Sequence, residues 1–180
     1  VADDAIGVDE LSATGTASAS TFLRGDNAWV AAGGGENSPR FEAFLSGNQT
    51  GFSDATYTKV QFNGENYDVG GCYDSSNHRF VVPADEAGTY FFYSSVNMGA
   101  ITSGQLAEGR LSFYKNGSNT AHARSRSTWA NVPYTMSFSI QMFLALADAD
   151  YIEVFGYDDI STTNTIFTAD QCWFGGFKLV

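Results

Sequence analysis

The 180-residue chain carries 20 acidic against 9 basic side chains, for a net charge of −11. It holds 27 aromatic residues, while Leu, Ile, Val and Phe together reach only about 22%. That charge excludes nucleic acid as a partner, because phosphate binding needs clustered Lys and Arg. No apolar run approaches the roughly 20 residues of a membrane-spanning helix, so no membrane insertion is expected.

The sequence begins at Val1 with neither Met nor a leader-like segment and is expected to be a fragment or processed product. Composition changes near residue 40. Residues 1–32 are rich in Ala, Ser, Thr, Gly and Asp and read as a stalk or neck. Residues 33–40, which contain three glycines and Pro39, read as a linker, because glycine frees the backbone and proline stops a helix. Residues 41–180 hold most of the large apolar side chains and every Tyr and Cys, and read as a globular head.

Within the head, short aromatic-rich segments at 57–62, 78–83, 89–96, 110–115, 134–146, 151–157 and 172–180 predict β-strands. Turn residues bound them: Asn63–Asn66, Ser75–Asn77, Asn116–Asn119, Asp148–Asp150 and Asp158-Asp159. Asn116-Gly117 predicts a hairpin, since a type I′ turn needs positive φ at both central residues. No segment shows a 3.6-residue apolar period, so the fold class is all-β.

The strands differ in their faces. Residues 134–140 alternate, with Tyr134, Met136, Phe138 and Ile140 opposite Thr135, Ser137 and Ser139, and fit a sheet with one face in water. Three others are apolar on both faces: Tyr90 and Phe92 oppose Phe91 and Tyr93, Ile152 and Val154 oppose Tyr151, Phe155 and Tyr157, and Trp173, Phe177 and Leu179 oppose Phe174 and Val180. One sandwich partner covers one face, so the second needs loops, barrel closure or another subunit. Phe92, Tyr151, Phe155 and Trp173 are the candidate subunit interface.

Residues 58–96, with Val60-x-Phe62, Tyr73-Asp74, Phe80, Pro83 and Gly88-Thr-Tyr-Phe-Phe92, resemble the complement component 1q-type globular head of the tumour necrosis factor-like jelly rolls. Leu111–Ser118 and Trp173–Val180 match the family's Lys-Asn-Gly strand end and its closing Phe-x-Gly-Phe strand. The resemblance implies a ten-stranded two-sheet jelly-roll sandwich assembled as a homotrimer, with one sheet facing the three-fold axis. Departures are Asp148–Val154, where the family usually has Gly-Asp, and the absence of a collagen repeat. Residues 2–30, above all Thr21–Trp29, resemble a bacteriophage tail-fibre segment that precedes distal modules. Together they imply a non-enzymatic receptor-binding fibre tip on the virion, joined to other fibre parts through its N-terminus. Its ligand would be a host surface glycan or outer-membrane protein. The alternatives are a secreted or surface complement-like lectin of bacteria and a purely structural collar or decoration protein.

Individual motifs add little chemistry. Arg24-Gly25-Asp26 is a formal integrin-binding tripeptide but is expected to be a turn. Asn48 and Asn116 begin formal glycosylation sequons. His122, Arg124 and Arg126, followed by Trp129 and Tyr134, form the one basic stripe. It reads either as an exposed alternating strand or as a receptor contact that stacks a sugar and binds its acidic group. Asp148, Asp150, Asp158 and Asp159 offer oxygens for calcium, yet their spacing is that of turns, and no cofactor is expected. Cys72 and Cys172 are expected to be free buried thiols. No nucleophile or metal-hydrolase motif is present, so no enzyme is expected.

Overall fold

The structure, a computed structural model, describes residues 12–31, 37–51, 53–100, 106–128, 135–160 and 165–179; of residues 31 and 121–128 it describes the backbone alone. The chain forms two compact units, Val1–Glu36 and Asn37–Val180.

In the first unit, β1 (Thr21–Leu23) and β2 (Trp29–Ala31) pair antiparallel, with Phe22 opposite Val30. The Arg24 N–H donates to the Ala28 carbonyl at 2.8 Å, and Asn27 turns the chain at φ 64°. Arg24 and Asp26 form an ion pair with each other within this turn. The Arg-Gly-Asp tripeptide is therefore a hairpin turn, as its residue types dictate.

The second unit contains β3 (Arg40–Phe44), β4 (Gln49–Thr50), β5 (Thr58–Lys59), β6 (Gly64–Val69), β7 (Tyr73–Asp74), β8 (Arg79–Val81), β9 (Gly88–Ala100), β10 (Leu106–Lys115), β11 (Ser118–Thr128), β12 (Thr135–Leu146), β13 (Tyr151–Ile160), β14 (Thr165–Phe167) and β15 (Trp173–Lys178). The first sheet runs β11-β10-β13-β8-β7, with β5 also on β13. The second places β12 and β15 on opposite sides of β9, then β3 and β6 beyond β15, with β14 and β4 continuing the upper end of the β9 side. All these pairs are antiparallel, and the architecture is the two-sheet sandwich expected. The strand number exceeds ten because short pieces such as β4, β5, β7 and β14 pair separately from the long strands.

The core between the sheets is aromatic. Phe41, Phe62, Phe80, Tyr90, Phe92, Phe113, Phe167 and Phe174 are fully buried. Their rings meet at centroid distances of 4.8–6.2 Å in pairs such as Phe41–Phe174, Phe80–Phe92 and Phe92–Phe113, a spacing at which tilted and edge-on rings attract. A chain poor in aliphatics builds its interior this way.

Asn116 and Gly117 take φ of 50° and 75°, and Lys115 pairs with Ser118, so β10 and β11 form the predicted tight hairpin. The Asn116 side chain is also engaged, donating to Asp150 at 2.7 Å and accepting the Tyr151 N–H at 2.9 Å. Gly117→Val is expected to cost about 1–2 kcal/mol, because a side chain is strained at that φ; a denaturant titration checks it.

Three expectations about elements need correction. Gly64–Val69 is the edge strand β6, although 63–66 reads as a turn; an edge strand with exposed Glu65, Asn66 and Tyr67 needs no apolar alternation. Asp158 and Asp159 lie inside β13 rather than ending it. The alternating strand β12 does bury Phe138 and Ile140 against the core, but it shares its sheet with β9 and β15, the two-faced strands.

Candidate functional site

The outward face of the second sheet follows from register. β9 sends Tyr90, Phe92, Ser94 and Val96 inward, so Phe91, Tyr93, Ser95 and Asn97 face out. Phe143 of β12 and Phe177 of β15 flank Phe91 across the sheet, with ring centroids at 5.0 and 5.4 Å. Phe143 is 62% exposed, the most open of the large apolar side chains among the described residues. These three phenylalanines form an open apolar cluster at the end of the sheet where Arg40 begins β3 and Lys178 ends β15.

Above them the face becomes polar. The Tyr93 ring lies across Gly175, where any side chain would collide with it, and its hydroxyl donates to Glu42 Oε2 at 2.6 Å. Burial and the Glu42 carboxylate push the Tyr93 phenol well above its usual range. Glu42 Oε1 accepts from Asn66 Nδ2 at 2.7 Å, so both oxygens of this carboxylate are held. Farther along, Ser139 donates to Ser95 at 3.0 Å, while Asn97 bonds Ser137 and Thr168.

Trp173, 42% exposed, stands between two hollows. One, of about 480 Å³, is walled by Glu42, Phe44, Asn66, Asp170 and Trp173. The other, of about 240 Å³, lies toward β12 among Tyr93, Ser95, Ser139 and Gln141. Such a face can bury apolar surface at one end and hold a small polar or aromatic group at the other.

The four candidate interface residues do not form one surface. Phe92 is fully buried among Phe80, Phe113 and Phe174 and belongs to the core of the subunit. Tyr151 and Phe155 are on the outward face of the first sheet, and that face covers itself. Arg79 lies over the Tyr151 ring at 4.7 Å, Tyr114 stacks on Phe155 at 4.0 Å, and Arg110 lies over Tyr157 at 4.3 Å. Ion pairs Lys59–Glu153, at 2.6 Å, and Arg110–Glu108 close the same layer. Only Trp173 of the four faces outward on the second sheet. Period-two alternation reveals that a strand has two apolar faces but not which sheet it joins. Sequence reasoning missed Phe143, for which the outward Phe91 was the available signal, and Glu42, Asn66 and Asp170, which had none.

His122, Arg124 and Arg126 occupy β11, the edge strand of the first sheet, with Arg124 opposite Ser112 and Arg126 opposite Arg110 in register. Trp129 and Tyr134 lie outside the described residues.

The four aspartates that offer oxygens for calcium have separate roles. Asp148 accepts the N–H groups of Asp85 and Ala87 at 3.1 and 2.9 Å. Asp150 accepts from Asn116, the Ala147 N–H and Lys115, which lower its pKa to about 2. Asp159 lies on the outward side of β13, whereas Asp158 is wholly buried, with neither carboxylate oxygen hydrogen-bonded. Burial and the nearby Asp54 charge push the Asp158 carboxyl up to about 7. Among the described residues no three acidic, His or Cys side chains converge as a metal site. Cys72 and Cys172 are both free and buried.

No protein-family model matches the chain, and no curated protein does. Solved structures do. The globular domain of the zebrafish complement 1qA protein is similar over 79% of this chain and 98% of its own, at 14% identity and a TM-score of 0.48. Murine APRIL is similar over 78% of this chain and 98% of its own, at 15% identity and a TM-score of 0.54. At such identities the likeness concerns the path of the backbone. The likeness to murine APRIL gives the chain a tumour necrosis factor-like jelly-roll fold.

Proposed function

We propose that this chain is the distal, non-enzymatic tip of a bacteriophage tail fibre, that three copies assemble through the outward face of the second sheet, and that the trimer attaches the virion to its host. The observation that carries the reading is the open aromatic cluster Phe91, Phe143 and Phe177, continued by Tyr93 and Trp173. A monomer gains nothing by exposing such a surface, whereas a second copy gains by covering it. The hairpin built from Thr21–Trp29 supports the fibre context, since it carries the tail-fibre-like sequence. Residues 1–32 then serve as the neck that meets other fibre parts, and 33–40 as a joint. Host surface glycans or outer-membrane proteins are the partners, and three weak sites on one tip become avid when they engage one cell surface.

Sedimentation of the full chain at micromolar concentration is expected to give three times the 19.4 kDa subunit mass, and F91D/F143D to give one. The same preparation is expected to bind susceptible cells and to block infection. A wild-type monomer removes the assembly reading. A trimer that binds no cells and blocks no infection removes the adhesion reading and leaves a structural virion part.

A further inference from the structure

The cleft beside Trp173 has a composition that subunit assembly does not account for. It opens on the β3–β6 side of Trp173, away from the phenylalanine cluster. Its volume of about 480 Å³ falls in the range of small-ligand sites. Two aromatic walls come from one cross-strand pair, Trp173 of β15 opposite Phe44 of β3. Gly64 gives the Phe44 ring its place, because a side chain there would overlap it.

Two carboxylates complete the cleft. Glu42 is fixed by Tyr93 and Asn66, one donor on each oxygen, which leaves a lone pair on each for a ligand. The Asp170 carboxylate has no hydrogen-bond partner among the described residues, and its backbone is held in a turn at φ 59° with its N–H donated to Leu45. No Lys, Arg or His is among the described residues that line it. Elsewhere the chain matches its cations closely: Lys59, Arg79, Arg110, Lys115 and Lys178 each pair with an acid. Acidity alone would not distinguish a site on so acidic a protein. An indole and a phenyl face set against two carboxylates do, because a planar organic cation uses both kinds of wall at once, stacking on the rings and donating to the oxygens. An anion would be repelled, and a neutral apolar group would leave the carboxylates unused.

We propose that this cleft is a binding site for a guanidinium or amidinium group, held between Trp173 and Phe44 and paired with Glu42 and Asp170. The inference goes beyond attachment and does not require the trimer. The cation has two possible sources: a separate ligand, or an arginine of another copy, for which Arg124 and Arg126 on the β11 edge are the candidates.

The test is calorimetric titration of the full chain with benzamidinium chloride and, separately, with neutral benzamide, alongside sedimentation of the same samples. Saturable benzamidinium binding by the wild type, at least tenfold tighter than benzamide, supports a separate ligand. Binding that emerges only in R124Q/R126Q supports an arginine of a neighbouring copy. In either case E42Q, D170N and W173A are each expected to weaken binding at least tenfold. Asparagine tolerates the turn conformation of Asp170, so D170N should leave folding intact. No benzamidinium binding by either protein, equal binding of benzamide, or indifference to both E42Q and D170N overturns the proposal. Sedimentation reports the assembly state independently, so a wild-type monomer that binds benzamidinium defeats the trimer and leaves the cleft reading standing.

Discussion

Replacing Phe174 by Ala is expected to lower the unfolding free energy by about 3–5 kcal/mol, the range for deleting a buried phenyl ring when its surroundings relax only partly. The position explains why the upper part of that range applies. Phe174 comes from β15 in the second sheet, and its ring meets Phe41, Phe62, Tyr73, Phe92 and Phe113 at centroid distances of 4.8–6.3 Å. Phe113 belongs to the first sheet and Phe41 and Phe92 to the second, so the ring is a joint between layers. Flat rings crowded around one another have few ways to fill a phenyl-sized void. In urea, F174A should shift the midpoint with little change in slope, since the area exposed on unfolding hardly changes. The outward residue Phe143 provides the contrast: truncating a ring already 62% exposed should leave the stability of the isolated subunit within about 0.5 kcal/mol. If F174A and F143A cost the same, the ring is not the joint its contacts indicate.

The same contrast marks what the sequence makes legible. Strand β9 reads correctly in both senses: it is a strand, and Phe91 and Tyr93 face away from Tyr90 and Phe92. The hairpin at Asn116-Gly117 reads correctly because backbone sterics fix its φ values with no help from the rest of the chain. β13 shows where local information ends. Its outward residues Tyr151, Phe155 and Tyr157 look as much in need of a partner as those of β9. They are covered by Arg79, by Arg110 and Tyr114 of β10, and by Tyr57, which arrive from three other places in the sequence. Long-range register decides which aromatic face stays open, and no period within a strand carries that information. Glu42, Asn66 and Asp170 were illegible for the same reason. Each is an ordinary polar residue in its own segment; pairing of β3 with β6 and β15 brings Glu42 and Asn66 beside Trp173, and the turn before β15 sets Asp170 there.

Asp158 is the second position with a large expected effect, and its sign is opposite to that of most carboxylates. It occupies an inward position of β13, opposite Gly109 of β10, and neither of its oxygens has a hydrogen bond. The charged groups that bear on it are Asp54 and Asp159, both of the same sign. Asp54 is itself engaged, accepting the Ile160 N–H at 2.9 Å. The folded-state pKa therefore rises from the ordinary 3.8 to about 7. In the unfolded chain the carboxyl ionises near pH 4, while in the folded chain it stays protonated until about pH 7. The stabilising contribution is thus fully present below pH 4 and is lost as the pH rises to about 7. Three units at about 1.4 kcal/mol each place the upper limit of that loss on the order of 4 kcal/mol. Asp150, held down to about 2 by Lys115 and Asn116, acts in the opposite direction but only below pH 4, so the two windows do not overlap. Denaturant titrations at pH 5 and pH 8 are therefore expected to show a wild type less stable at pH 8, and D158N nearly indifferent over the same interval. At pH 8 D158N should be the more stable protein, because a buried neutral amide costs less than a buried unpaired charge. If D158N is instead less stable at pH 8, the carboxylate has a partner and its burial is a paired one.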